Sequence, residues 1–386
     1  MKIVITTGIY TPDVGGPATY APRLAAKLLE AGHQVSIVTY SDVAAHAADT
    51  KQSFKIIRVR RGNRMVQMTR FFFVLMKEAR GADLIYTLDW LAAGMPVMKA
   101  SLFLRVPYIV RIGGDYAWDT KYLEAGGTPM TLKRFYGSGE YLKGTKRIYF
   151  WLVRLVLNRA KHVVYNSDIQ RDLYAKYFGM NPSKTSVIPN PVPLFPWKDI
   201  ARGTPTKEFV FMGRFVAMKN VATLVRAFAK AELSDAFSLV LFGEGPQKEL
   251  LSKLVTELGV ANRVAMFPPM EQHELFRRVK DCRAFVLPSW TDISPNNVHE
   301  ALSIGLPVLM TKENYLGIRN QLPETIDPAS IDDVAKKLEM LADDGRYKDF
   351  SDRFAAISFA YSWDDVAREH IALFKRYGRK TAENSA

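Results

Sequence analysis

A strand-and-helix alternation occupies the first half of this chain, halts at a proline-rich stretch, and then starts again. The first cycle has a continuous apolar strand pattern at residues 2–6, a Gly/Pro loop, a helical pattern at 18–31 closed by Gly32, and a second strand at 34–39. Further strands are expected at 55–59, 83–87, 107–112 and 162–166. Short apolar runs separated by helical stretches are what a parallel, doubly wound sheet requires. Residues 188–196 carry four prolines, which suits a linker. The pattern resumes with a strand at 208–212, a helix at 220–230, a strand at 237–242, a helix at 246–258 and strands at 263–267, 283–287 and 307–310. An amphipathic helix follows at 363–377. The expectation is an α/β protein of two facing Rossmann-like domains, 1–195 and 196–362. The terminal helix, about 363–380, packs back onto the first. Ligands of such sheets bind beyond the carboxyl ends of the strands, so the site belongs in an interdomain cleft.

A length of 386 residues suits two cores better than one, and 48% hydrophobic content excludes a mostly disordered chain. The net charge of +14 is unevenly placed. Residues 1–200 hold 28 Lys and Arg against 14 acids, and the remainder holds 25 against 25. The densest part, residues 51–80, sets nine basic residues against Glu78 and surrounds the aromatic run Phe71, Phe72 and Phe73. A second basic and aromatic stretch lies at 147–159. Such one-sided charge beside apolar residues suits an anionic membrane surface, the alternative being buried helices with solvated charges at their rims. No nucleic-acid-binding motif accompanies the charge. The single cysteine, Cys282, fits a reducing compartment. No apolar run approaches the roughly 18 residues of a membrane span. A cytoplasmic protein, peripherally associated with the inner face of a membrane, is expected.

Four segments are candidates for chemistry. Residues 289–308 read as a loop entering a helix, with carboxylates at Asp292 and Glu300, Ser294 as N-cap, Pro295 as the first helical residue and Gly305 as the stop. The free amides of such a helix start face phosphates, and carboxylates accept hydrogen bonds from sugar hydroxyls. Arg214 and Lys219 leave a strand end just before the next helix, where two cations can neutralise a pyrophosphate, unless they are solvated surface charges. Glycine loops at Gly15-Gly16 and at Gly243-Glu244-Gly245 follow strands and either admit a ligand to the backbone or simply turn. The first is not GxGxxG, which disfavours a nicotinamide or flavin site.

Together these segments resemble family 4 of the glycosyltransferases, whose fold is GT-B, over nearly the whole chain. The resemblance rests on Gly213-Arg214 with Lys219, on residues 243–246 and on the 289–308 block, where Asp292 and Glu300 have the family's Glu-x7-Glu spacing. It implies that Glu300 binds ribose hydroxyls, Asp292 the transferred sugar, and Arg214 and Lys219 the diphosphate. Backbone of Asn296, Asn297 and Val298 would contact phosphate or sugar, and Gly16 would approach the diphosphate. The implied chemistry is retaining transfer from a nucleoside diphosphate sugar, with no cofactor and no required metal.

The chain departs from the family pattern twice. Asp292 stands where glutamate is usual, one methylene shorter. Gly113-Gly114-Asp115 stands where the family often has a histidine, and Asp115 either contacts the sugar or only turns the loop. His33, His162 and His299 have no metal-ligand spacing. The expected acceptor is a lipid-linked or cell-envelope saccharide bound by the basic half. The alternatives are a soluble acceptor, or nucleotide-sugar binding without efficient turnover.

Overall fold

The structure, a computed structural model, describes residues 1–13, 15–191 and 200–379. These residues form two compact units. The first comprises those within 1–115, 141–191 and 361–379, and the second 116–140 and 200–360.

The first unit is built on seven parallel strands: β1 (Lys2–Thr7), β2 (Gln34–Ser41), β3 (Lys55–Arg60), β4 (Leu84–Thr87), β5 (Tyr108–Ile112), β6 (His162–Tyr165) and β7 (Thr185–Val187), in the order β3-β2-β1-β4-β5-β6-β7. Lys2 lies opposite Gln34 on one side of β1, and Ile3 opposite Leu84 on the other. The order therefore reverses between β1 and β4. Ile3, Val4 and Ile5 of β1 and Leu84, Ile85 and Tyr86 of β4 are all fully buried. That follows from helices covering both faces, which makes parallel strands apolar throughout instead of alternating. All six expected strands are present. The seventh is only three residues long, too short for any periodicity to announce it.

Helix α1 (Gly16–Glu30) joins β1 to β2, with Pro17 in its first turn. Gly32 then takes φ of +81°, the left-handed conformation that ends a helix with least strain in glycine. Helix α2 (Arg64–Glu78) follows β3, its N-cap Asn63 accepting from the Met65 amide, and α3 (Gly94–Leu104) follows β4. After β5 come α4 (Tyr116–Trp118) and α5 (Leu132–Gly137), then α6 (Thr145–Arg159) before β6 and α7 (Asp168–Phe178) before β7. The α1 crossover runs along the sheet opposite to those of α2, α3 and α6. Right-handed connections therefore place these three together on the other face. There α3 packs between α2 and α6.

The second unit has six parallel strands: β8 (Glu208–Met212), β9 (Ser238–Phe242), β10 (Val264–Phe267), β11 (Ala284–Leu287), β12 (Val308–Thr311) and β13 (Thr325–Ile326), in the order β10-β9-β8-β11-β12-β13. Its helices are α8 (Val221–Lys230), α9 (Lys248–Glu257), α10 (Gln272–Val279), α11 (Asn296–Ser303), α12 (Ile331–Ala342) and α13 (Asp344–Ala355). Phe209, Phe211, Phe215, Phe228 and Phe285 anchor its core. Again the strand order reverses next to the first strand, between β8 and β11.

One assignment differs from the expected boundaries. Residues 116–140, counted on sequence with the first domain, pack on the second unit. The Leu132 amide donates to Thr291 Oγ1 at 2.9 Å, the Ala217 amide donates to Glu124 Oε1 at 3.2 Å, and Lys133 lies 3.5 Å from Glu313. Chain order misleads here because the segment leaves from β5 and returns to α6, both in the first unit. The terminal helix α14 (Trp363–Tyr377) lies in the first unit, with Val366 and Phe374 in the core beside Leu24 and Tyr86. Of the expected linker, residues 192–196 lie outside the described residues.

Candidate functional site

A buried polar cluster of the second unit lies at the carboxyl ends of β8 and β11, where its strand order reverses. Beyond β8 the backbone of 213–215 lies against the loop beyond β9. The Gly213 amide donates to Phe242 O at 3.0 Å, the Phe215 amide to Glu244 O at 2.8 Å and the Gln247 amide to Phe215 O at 3.0 Å. A Cβ at Gly243 would lie 1.9 Å from Gly213 O. Glycine at 243 is therefore demanded by the approach of two backbones, whatever else it contacts. The Glu244 side chain pairs with Lys248 at 2.9 Å on the surface.

A short turn then brings Lys219 inward. Its Nζ donates to Asp292 Oδ1 at 2.7 Å, and both side chains are buried. Asn220, at φ of +55°, donates from Nδ2 to Pro288 O at 3.1 Å and to Pro328 O at 2.8 Å, locking the turn to the end of β11. On the other partner, the Asp292 amide donates to Glu313 O at 3.1 Å and its carbonyl accepts from the Tyr315 amide at 2.8 Å. Both members of the ion pair are thus held by their backbones. Asp292 Oδ2 is buried and has no partner among the described residues. A buried acceptor without a donor is costly in isolation, and a ligand hydroxyl would satisfy it.

Helix α11 begins one residue later than the sequence suggests. Pro295 takes φ of −74° and ψ of 110°, an extended N-cap position without a side-chain cap, and Asn296 is the first helical residue. Ser294 is therefore not the cap: the extended ψ of Pro295 moves the start past it. The Asn297 side chain donates to Met212 O at 2.8 Å, fixing the start of the helix to the end of β8. Val298 is buried. One turn along, Glu300 Oε1 accepts from Gln272 Nε2 at 2.9 Å. Neighbouring His299 is buried and stacked on Phe359, with ring centroids 5.3 Å apart. Burial lowers its pKa to about 4, so it is a neutral packing residue. Arg214 is exposed and makes no ion pair among the described residues.

The structure thus joins Lys219 directly to Asp292, and ties Asn297 to the Gly213 loop through the last residue of β8. Sequence reasoning missed Asn220, Thr291 and Gln272. Only the left-handed turn at Asn220 left any trace, as the Asn that opens the helical pattern expected at 220–230.

In the first unit, Asp115 is buried and accepts from the Tyr174 hydroxyl at 2.7 Å, so this carboxylate braces the end of β5 against α7. A Cβ at Gly16 would meet nothing within 4 Å, whereas one at Gly15 would lie 2.6 Å from Ile9 Cδ1. Near the β1–β4 reversal is a cavity of about 300 Å³, lined by Gly8, Tyr40, Arg61, Gln67, Asp89 and Ala92 among others. Arg61 pairs there with Asp13 and Asp42, and its hydrogen bonds hold the Asp13 carboxyl below the usual range. Burial pushes the Asp89 carboxyl above that range, although it accepts from the Leu91 and Ala93 amides.

Known proteins match the chain along its length. The family model described as Glycosyltransferase Family 4 matches residues 14–194, and that described as Glycosyl transferases group 1 matches 198–356. An uncharacterized glycosyltransferase of Methanocaldococcus jannaschii is 23% identical, over 97% of this chain and 98% of its own length. A D-inositol 3-phosphate glycosyltransferase of Thermobifida fusca is 24% identical, over 95% of this chain and 89% of its own. Among solved structures, Anabaena HepE in complex with UDP and glucose superposes with a TM-score of 0.74 at 17% identity, covering 97% of this chain and all of that one.

Proposed function

The chain belongs to the family 4 glycosyltransferases of GT-B fold, and from that premise we propose that it transfers a sugar, with retention of configuration, from a nucleoside diphosphate sugar to an acceptor hydroxyl. One observation carries the donor half: the buried Lys219–Asp292 pair leaves Asp292 Oδ2 unsatisfied beside the start of α11. Asp292 then accepts from a sugar hydroxyl, Glu300 from the ribose, and Arg214 and Lys219 face the diphosphate together with the α11 amides. As the bond from the sugar C1 to the β-phosphate oxygen breaks, negative charge grows on the diphosphate. Fixed cations and amide dipoles stabilise that charge more than they stabilise the ground state. The acceptor oxygen bonds to C1 on the face the phosphate leaves, and its proton passes to a phosphate oxygen. In this scheme the protein's own cations take the role of a metal.

Substitution at the donor residues tests the scheme. Lys219→Ala and Glu300→Ala are each expected to lower turnover by about 100-fold or more while the protein still melts cooperatively, in buffer containing EDTA. Unchanged turnover in both variants, or activity in the parent that needs an added divalent ion, refutes it.

The acceptor in this proposal is a lipid-linked or cell-envelope saccharide, and the protein works in the cytoplasm, peripherally attached to the inner face of a membrane. The basic first half supports this. A soluble acceptor is the second reading, favoured by the relative named for D-inositol 3-phosphate. The two separate on assay: transfer to a small soluble polyol phosphate at full rate without lipid supports the second.

A further inference from the structure

Fifteen large apolar side chains are exposed among the described residues, and eight of them lie on α2, α3 and α6. These helices are neighbours on one face of the first sheet, with α3 in the middle. Each buries one side and exposes large apolar side chains among basic ones on the other. Helix α2 buries Phe71 and Leu75 but exposes Met65 and Phe73, the latter at 64%. Helix α6 buries Tyr149, Phe150 and Val153 but exposes Ile148 and Trp151, at 65% and 49%. Helix α3 ends in Leu102 and Phe103, 68% and 69% exposed, and Phe103 meets Phe72 of α2 with ring centroids 5.9 Å apart. Neither the buried-helix alternative nor the sequence pattern of α3 anticipates this surface.

The charge around it has one sign. Arg70, Lys77, Lys99, Arg105 and Arg147 are all exposed, and none forms an ion pair among the described residues. Across the three helices the sole acid is Glu78, which Lys55 of β3 neutralises at 2.6 Å. A large exposed apolar patch marks an interaction site, and the unopposed cations say what covers it. A second copy of the chain, packed isologously, would set these cations against themselves. A bilayer with anionic headgroups accepts both features, with aromatic and aliphatic tips entering the acyl boundary and cations resting on the phosphates.

We propose that the outer face of α2, α3 and α6 is a docking surface for an anionic lipid bilayer. It extends the reading of a membrane-linked acceptor and rests on it only for its purpose, since docking itself needs the surface alone. Each cation near such a leaflet contributes about fivefold in partitioning, and salt removes that share.

Flotation with phosphatidylcholine vesicles containing about one-third phosphatidylglycerol tests this. The protein is expected to float with them at low salt and to remain behind with phosphatidylcholine alone. Phe103→Asp combined with Trp151→Asp is expected to lower partitioning at least about tenfold, with melting temperature and donor hydrolysis unchanged. Trp151→Phe is expected to float normally but to lose most of the vesicle-induced blue shift in tryptophan fluorescence. The proposal falls if the parent does not float, if the double variant floats equally well, or if the double variant instead abolishes a dimer or capture by an acidic protein. Lys219→Ala separates the two hypotheses, because it should float normally while losing turnover. A parent that turns over a soluble acceptor without floating overturns the docking surface and the membrane-linked acceptor, and leaves sugar transfer itself standing.

Discussion

At Lys219 and Asp292 the energetics of a single contact set the terms for function. Two buried charges 2.7 Å apart lose most of their hydration, and their attraction offsets that loss only while both are present. Asp292→Asn keeps the shape but leaves the ammonium unpaired, so it is expected to destabilise the second unit by about 3 kcal/mol. Adding Lys219→Met should recover at least half of that loss, with donor-induced thermal stabilisation absent in both variants. Chemical denaturation of the two variants and the parent decides the matter; an Asp292→Asn protein as stable as the parent contradicts a buried ion pair. Spacing along the sequence could suggest Asp292 and Glu300 as ligands, because one turn and a loop separate them. It could not show Lys219 bonded to Asp292, a contact across 73 residues. Nor could it show that one oxygen of Asp292 remains unused.

At the scale of elements, the segment from α4 to α5 braces the loop that presents Asp292. Its buried Leu132 amide finds an acceptor in Thr291 Oγ1, and Glu124 accepts from the amide of Ala217, in the turn that carries Lys219. Thr291→Val keeps the volume and removes the acceptor, stranding a buried N–H at a cost of about 1–3 kcal/mol. The loop one residue from Asp292 loosens, so turnover should fall several-fold more than donor affinity, and Thr291→Ser should restore both. Steady-state kinetics beside donor titrations checks this; equal losses in kcat and affinity, or no rescue by serine, count against bracing. The strands and long helices were legible because apolar runs and 3.6-residue periodicity report burial directly. The short β7 and β13 carried too few residues for any period. The start of α11 moved by one because the backbone angles of Pro295 decide it. Nothing in a local pattern tells which unit residues 116–140 will join, since tertiary contacts choose between them.

For the whole molecule, the repeated α/β pattern implied two sheets, but not how buried titratable groups are shared between the two cores. Three histidines are buried and neutral. In the first unit His370 gives its Nδ1 proton to Val366 O at 2.7 Å and accepts from the Tyr86 hydroxyl at 2.7 Å, with its pKa pushed down to about 3. His162, also there, is pushed to about 4 by burial and by Arg376, and His299 in the second unit to about 4 by burial. Each has an ordinary value of 6.5, so the unfolded chain binds protons below that pH while the folded one does not. More protons on the unfolded side means that stability rises with pH and falls on acidification. No cost arises above pH 6.5. Between 6.5 and about 4 each histidine removes up to about 1.4 kcal/mol per pH unit, and His370 continues to about 3. The first unit carries two such groups against one, so its histidine-linked loss of stability between pH 6.5 and about 4 should be about twice as steep. His370→Phe, which keeps an aromatic ring in the α14 core but cannot take a proton, should flatten the acid limb of the first unit's transition and leave the second unit's unmoved. Calorimetry across pH 4–7 reads both transitions, and an acid limb unchanged by that substitution would mean that carboxylates, not buried imidazoles, set the acid sensitivity of the first unit.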